Sequence, residues 1–303
     1  MILSATYSDY ALRERAPVLY RGEMASCFEQ IAQDGFEGVE IHSKDTGSYD
    51  VDEVKKLLDR YGLRLTSLGT GLLRQKEGLS LTSDDEACRI QAVQQLKMFI
   101  DFASHFEDVV VIIGLLRGKM SEVDSSEHYW ERLSKHLIEC ADYAMEKQVR
   151  LGLEMINRYE ADTLNSTQDG LHFLEELGHP AIGLHLDSYH MNIEEADIRR
   201  SLEQAAGKLM HVHLADNDRY YPGHGHMDFQ EIFETLDEIG YLEAQCGPYQ
   251  QALEALLEQK QVCAVVRKQE LPFLTALCKR PDVFLVDLDD PFGALGCVIM
   301  ASG

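Results

Sequence analysis

Short apolar runs alternate with amphipathic stretches along most of this chain, the pattern of repeated strand–helix units around a parallel sheet. The apolar runs predict strands at Ile2 to Thr6, Gly38 to His42, Leu63 to Thr70, Asp108 to Gly114, Arg150 to Asn157, Ile182 to His190, Leu209 to Ala215 and Tyr241 to Cys246. Helix-start signals lie between them: Ser83-x-x-Glu86, Ser166-x-x-Asp169 and Asp228-x-x-Glu231 read as capping boxes or looser forms of one. Gly35, Gly62, Gly178 and Gly240 stand where helices need a left-handed residue to stop. Eight such units over about 260 residues match a closed (β/α)8 TIM barrel, whose working groups sit at the C-terminal ends of the strands. An open doubly wound sheet fits less well, because no Gly-x-Gly-x-x-Gly follows the first strand. From about Gln261 the repeat stops, which predicts a barrel over residues 1–260 and a C-terminal extension over 261–303. An extra subdomain, an arm over a neighbouring subunit and a loose tail all suit that extension.

Three of the runs end in metal-ligand chemistry. Leu151-Gly-Leu-Glu-Met-Ile-Asn157 offers Glu154, Gly183-Leu-His-Leu-Asp-Ser-Tyr-His190 offers Asp187, and Leu209-Met-His-Val-His-Leu-Ala-Asp216 offers His213. A carboxylate inside an apolar run has to be neutralised by a metal, a cation or a proton. Two carboxylates and an imidazole about one strand–helix unit apart therefore suggest a divalent-metal site at the common strand ends. The ordinary alternative for Glu154 alone is a structural ion pair. His211 shares a strand face with His213, and His185 shares one with Asp187, because side chains alternate with period two. The inner histidines read as core groups or as partners that orient a ligand. Arg219, in the loop ending Pro222-Gly-His-Gly225, places a fixed cation beside the presumed mouth, unless it is a solvated loop arginine.

Composition narrows the function classes. The 28 Lys and Arg against 52 Asp and Glu leave a formal charge of −24, which disfavours nucleic acid and anionic membranes as partners. The N-terminal residues have no basic, then apolar, leader pattern, and no apolar run approaches the roughly 20 residues of a membrane span. A cytoplasmic protein is the expectation. Seven scattered cysteines without a Cys-x-x-Cys read as free thiols.

In combination the motifs resemble a known superfamily. Glu154-x-x-Asn157-Arg158-x-Glu160, Asp187-x-x-His190-Met191-Asn192-Ile193-Glu194-Glu195 and His211-x-His213-x-x-Asp216-x-x-Arg219-x-x-Pro222-Gly223-x-Gly225 look like the sugar isomerases and epimerases built on a xylose-isomerase-like barrel. The likeness is strongest to the ketose 3-epimerases of the D-tagatose and D-psicose type, and runs from the first strand to about Tyr249. It implies a sugar or sugar-phosphate epimerase working through a metal-stabilised cis-enediolate. Its ion would be Mn²⁺, or else Co²⁺, Mg²⁺ or Zn²⁺, held by Glu154, Asp187, His213 and a fourth ligand on the eighth strand. The resemblance further implies that Glu154 doubles as an acid or base, that His190, Arg219 and Glu160 contact substrate hydroxyls, and that the chain assembles as a homodimer or homotetramer. The chain departs from that pattern in Gly240-Tyr-Leu-Glu-Ala-Gln-Cys-Gly-Pro248, where Gln245 stands nearest the ligand position usually held by glutamate. An amide oxygen can bind a metal but cannot act as a base. Glu243, two residues earlier on the same face, is the local carboxylate able to substitute, at about 6.5 Å greater depth. Four readings follow: a two-carboxylate ketose 3-epimerase; a single-base aldose–ketose isomerase or dehydratase; a sugar-binding barrel without turnover; and, disfavoured by charge, an endonuclease of the same superfamily.

Overall fold

The computed structural model describes residues 2–10, 18–241 and 298–301. Its strands are β1 (Ile2–Ser8), β2 (Tyr20–Arg21), β3 (Gly38–His42), β4 (Arg64–Gly69), β5 (Val110–Ile113), β6 (Arg150–Glu154), β7 (Ile182–Asp187), β8 (Leu209–Leu214) and β9 (Val298–Ala301). The helices α1 (Met24–Gln33), α2 (Val51–Tyr61), α3 (Gly71–Glu77), α4 (Glu86–Ala103), α5 (Ser126–Glu146), α6 (Thr167–Leu177), α7 (Ser188–Glu194), α8 (Ile198–Ala205) and α9 (Phe229–Glu238) fill the intervals. Strands β1 and β3 to β8 pair in parallel in chain order, with β2 along the far side of β1. This is the TIM-barrel class that the alternation predicts. Seven of the eight expected strands are present; the eighth, Tyr241 to Cys246, lies outside the described residues beyond Tyr241.

The interval between β8 and β1 is spanned by β9, which runs antiparallel to both, with Leu214 opposite Val298 and Ile2 opposite Ala301. The proposed boundary near residue 260 also falls outside the described residues. No helix among the described residues is long and apolar enough to cross a membrane.

Covered on both faces, the parallel strands are buried along most of their length, and β5 is apolar and buried throughout Val110–Ile113. Phe28 and Ile31 of α1, Leu96 and Phe99 of α4, and Leu133 and Leu137 of α5 close over the sheet from outside. Each such side chain contributes on the order of 1.5–3 kcal/mol by leaving water. Local signals set the helix ends. Ser166 and Asp169 form a reciprocal capping box at α6, and Gly178 ends that helix in the left-handed conformation at φ +65°. Asp228 caps α9 through the Glu231 amide.

Two expectations are corrected. Helix α4 starts from Asp85, whose side chain accepts the Ala87 N–H at 2.9 Å, so the anticipated Ser83 box is displaced by a nearer capping carboxylate. Ser188 to His190 are not strand but the first turn of α7, because Asp187 ends β7 and caps that helix through the Tyr189 amide at 2.8 Å. Cys27 and Cys88 are half-buried and Cys140 is buried; all three are free.

Register sets the height of each inward side chain. Glu154 lies opposite His185, and His185 opposite His211, in one row. Asp187 lies opposite His213 in the row above. Across the barrel Glu40 of β3 pairs with Thr6 on one side and Ser67 on the other.

Candidate active site

At the C-terminal strand ends one donor atom each from Glu154, Asp187 and His213 lies within 4.8 Å of the others. These residues share the wall of a cavity of about 610 Å³ with His190, Glu160 and Arg219, while Val18, Leu72, Leu115 and Ile156 supply apolar surface. The site gathers all six of the candidates that fall among the described residues, and Glu243 and Gln245 lie outside those residues.

Glu154 ends β6 facing the β5 end. A Cβ built on Gly114 would lie 2.1 Å from Glu154 Oε2, so the carboxylate reaches its position only across a glycine. The buried Arg117 guanidinium donates to the backbone carbonyl of Glu154, and to those of Thr163 at 2.9 Å and Leu164 at 3.3 Å, tying strand end to following loop. Burial pushes the Glu154 carboxyl up to about 7; the neighbouring Asp187 charge adds to the rise, and His213, Arg117 and Arg219 oppose it. Burial also works against charge on Asp187, yet His213, His190 and Arg219 outweigh it and hold that carboxyl down at about 2. Two carboxylates a few ångströms apart thus have ordinary values pulled in opposite directions, as expected where one is to carry a proton and the other to stay charged.

Beneath them lies a group the sequence reading passes over. Glu40 is fully buried, and its carboxylate accepts from His42 Nε2 at 2.5 Å, from the Ser67 hydroxyl, and from His211 Nε2 and His213 Nε2 at 3.1 Å each. Burial disfavours its charge, but His213 and His42 more than offset that and hold the carboxyl well below the usual range. An ionised carboxylate only accepts, so Nε2 of His211 and of His213 both carry hydrogen. His213 then directs Nδ1 at Asp187 Oδ2, 3.7 Å away. Only positive charge suits the space between those atoms: a proton on Nδ1, or a cation in its place. A carboxylate behind a histidine whose other nitrogen faces a site is the arrangement that orients metal-ligating imidazoles. The donor set and this unbalanced pair fit a divalent cation. The signal for Glu40 was available, since it is a carboxylate inside an apolar run, like Glu154, and shares its parity in Gly38 to His42 with an imidazole.

His190 projects from α7 rather than from a strand. The Asn157 amide donates to His190 Nδ1 at 2.6 Å, which leaves the N–H on Nε2, 3.6 Å from Glu154 Oε1. Arg219, at φ +66°, donates to Glu160 Oε1 at 2.8 Å and lies 4.7 Å above the Tyr189 ring. It is not a solvated loop arginine; it forms part of the cavity wall. Arg158 and Glu194 instead pair through two guanidinium nitrogens outside the cavity lining, and Glu195 accepts the Thr167 amide at 2.7 Å. These motif residues hold loops together.

A model of the xylose isomerase-like TIM barrel family matches residues 28–258. An L-ribulose 3-epimerase from Methylomonas sp. is 34% identical over 213 residues, covering 69% of this chain and 72% of the relative. A second L-ribulose 3-epimerase, from Mesorhizobium japonicum, is 30% identical over 225 residues, 74% of each chain. A solved structure of an L-ribulose 3-epimerase superposes with a TM-score of 0.65 at 29% identity, covering 80% of this chain and 79% of that one.

Proposed function

Because the chain belongs to the xylose isomerase-like TIM barrel family, we propose that it is a divalent-metal-dependent ketose 3-epimerase in which Glu154, Asp187 and His213 hold the ion. The observation that carries this reading is the convergence of those three donors within 4.8 Å on the cavity wall. Similarity to ketose 3-epimerases supports the substrate class. Two carboxylates and one imidazole suit Mn²⁺ or a neighbouring hard ion. Once bound, the ion supplies positive charge beside the ketose carbonyl and an adjacent hydroxyl, which acidifies the intervening C–H.

The protein's own groups move the proton. Glu154, on the cavity wall, is the group that takes the proton from one face of the sugar and returns it in the reverse direction. The C3–H bond breaks toward Glu154, its electron pair passes into an enediolate, and a new C–H bond forms on the opposite face. Glu243 is proposed as the acid on that second face. His190 presents Nε2–H, and Arg219 its guanidinium, to substrate oxygens, with Glu160 holding Arg219 in place. The apolar surfaces of Leu72, Leu115 and Ile156 keep water from the carbanion.

Mn²⁺-loaded protein in heavy water is expected to place deuterium at C3 of a ketose drawn from D-fructose, D-psicose, D-tagatose and L-ribulose, and to release the C3 epimer. Absence of exchange across that panel and the corresponding phosphates overturns the proposal. Gln245, in the place of a second carboxylate, favours one other reading, a single-base isomerase or dehydratase. Retained exchange without epimer in the Glu243→Gln variant supports the two-carboxylate form; undiminished epimerisation in that variant rules it out.

A further inference from the structure

Beside the proposed catalytic ligands, in the row of Glu154 and the row above it, three imidazoles meet inside the barrel. One ring nitrogen each from His185, His211 and His213 lies within 4.8 Å of the others. The three rings are mutually edge-to-face, with centroids 4.1 Å apart for His185 and His213 and 5.1 Å for the other two pairs. His185 and His211 are fully buried. Neither nitrogen of His185 has a hydrogen-bond partner among the described residues, and neither does His211 Nδ1. A buried imidazole without partners costs roughly 1–3 kcal/mol for each unsatisfied polar atom, so three such atoms at one point are a concentration that apolar side chains of similar size would avoid.

The surroundings are those of a metal-binding histidine cluster. Glu40 accepts from Nε2 of His211 and His213, which turns lone-pair nitrogens away from it and supplies a negative charge behind two of the three rings. We propose that His185, His211 and His213 form a second, inner cation site, selective for borderline ions of the Zn²⁺ class and sharing His213 with the carboxylate site beside it. Three imidazoles suit Zn²⁺, Cu²⁺ or Ni²⁺, whereas Glu154 and Asp187 suit Mn²⁺ or Mg²⁺. Tetrahedral Zn²⁺ with bonds of about 2.05 Å brings its nitrogens to roughly 3.4 Å from one another. Binding therefore requires the rings to turn about their side-chain bonds from the present separation of up to 4.8 Å. His213, which lines the cavity, is the gate: a cation entering the inner site withdraws it from the outer one. The inner site is therefore an inhibitory site for Zn²⁺. Its inhibitory role rests on the epimerase reading; its existence does not.

The test removes the outer site and reads metal rather than turnover. Full-length Glu154→Gln/Asp187→Asn protein, freed of metal and dialysed against Zn²⁺, is expected to bind one equivalent. X-ray absorption on that sample should show three imidazoles around the ion. Replacing Zn²⁺ by Co²⁺ should give the strong visible absorption of a four-coordinate centre. No bound Zn²⁺, or an ion with a single imidazole, overturns the proposal. Adding His185→Gln to the double variant should weaken Zn²⁺ binding at least tenfold, with circular dichroism reporting the fold; if that variant is unfolded, the imidazole count alone decides. Should the inner site bind Zn²⁺ while Mn²⁺-loaded wild type exchanges no ketose proton, the epimerase reading fails and the inner site stands.

Discussion

Glu40 and Glu154 are the same residue type in the same sequence setting, a single glutamate within an apolar strand, and the barrel gives them opposite fates. Glu40 lies on the floor with four donors on its carboxylate and stays ionised. Glu154 lies at the mouth, faces another carboxylate, and holds its proton to about 7. Burial acts on both in the same direction. Neighbouring donors decide which is held as a buried counter-charge and which keeps its proton, as the proposed proton carrier would.

The largest predicted effect tests the mouth. Glu154→Gln should lower ketose proton exchange by about 10²–10⁴-fold while leaving the fold intact, measured by deuterium incorporation and circular dichroism. Near-normal exchange would place the base elsewhere. Gly114→Ala pushes a methyl against Glu154 Oε2, and a displacement of about 1 Å should cost on the order of 10² in kcat; an unchanged kcat would show that the carboxylate has room to spare.

The floor is tested by Glu40→Gln. Two histidines lose the charge that orients them, so Mn²⁺ affinity by calorimetry should fall about 10–100-fold, and urea unfolding should show a loss of roughly 3–5 kcal/mol. If affinity holds while stability falls, Glu40 serves the fold alone.

The two carboxylates also part company with pH. Glu154 keeps its proton to about 7 in the folded chain against a usual 4.5, so between those values the folded state binds more protons and stability falls as pH rises, by about 3 kcal/mol in all. Asp187, held at about 2 against a usual 3.8, contributes stability that is present above 3.8 and is lost as pH falls toward 2. Thermal melts of metal-free protein should follow both signs, and saturating Mn²⁺ should remove the decline between 4.5 and 7. A melt that rises across that window contradicts the assignment to Glu154. The smallest effect is remote from both regions: Ser166→Ala, at the α6 capping box, should cost about 1 kcal/mol with exchange unchanged.

The strand positions and the outer donor set were legible because both depend on short-range order. A period of two and an apolar run put Glu154, Asp187 and His213 each near the C-terminal end of its own strand without reference to anything distant. His190, Arg219 and Glu160 came through the resemblance, but their contacts did not: His190 turned out to be helical, and Arg219 to be braced by a glutamate 59 positions earlier.

What the sequence determined by itself, then, was the alternation that makes the barrel and the three strand ends that carry the proposed ligands. Only the tertiary structure decided that Glu40 sits beneath His213, at a separation of 173 residues along the chain, and that His185 has no partner among the described residues. The reason is physical: side-chain direction along a strand is a local property of the backbone, whereas the donors around a buried charge come from whichever strands barrel closure brings to the same height.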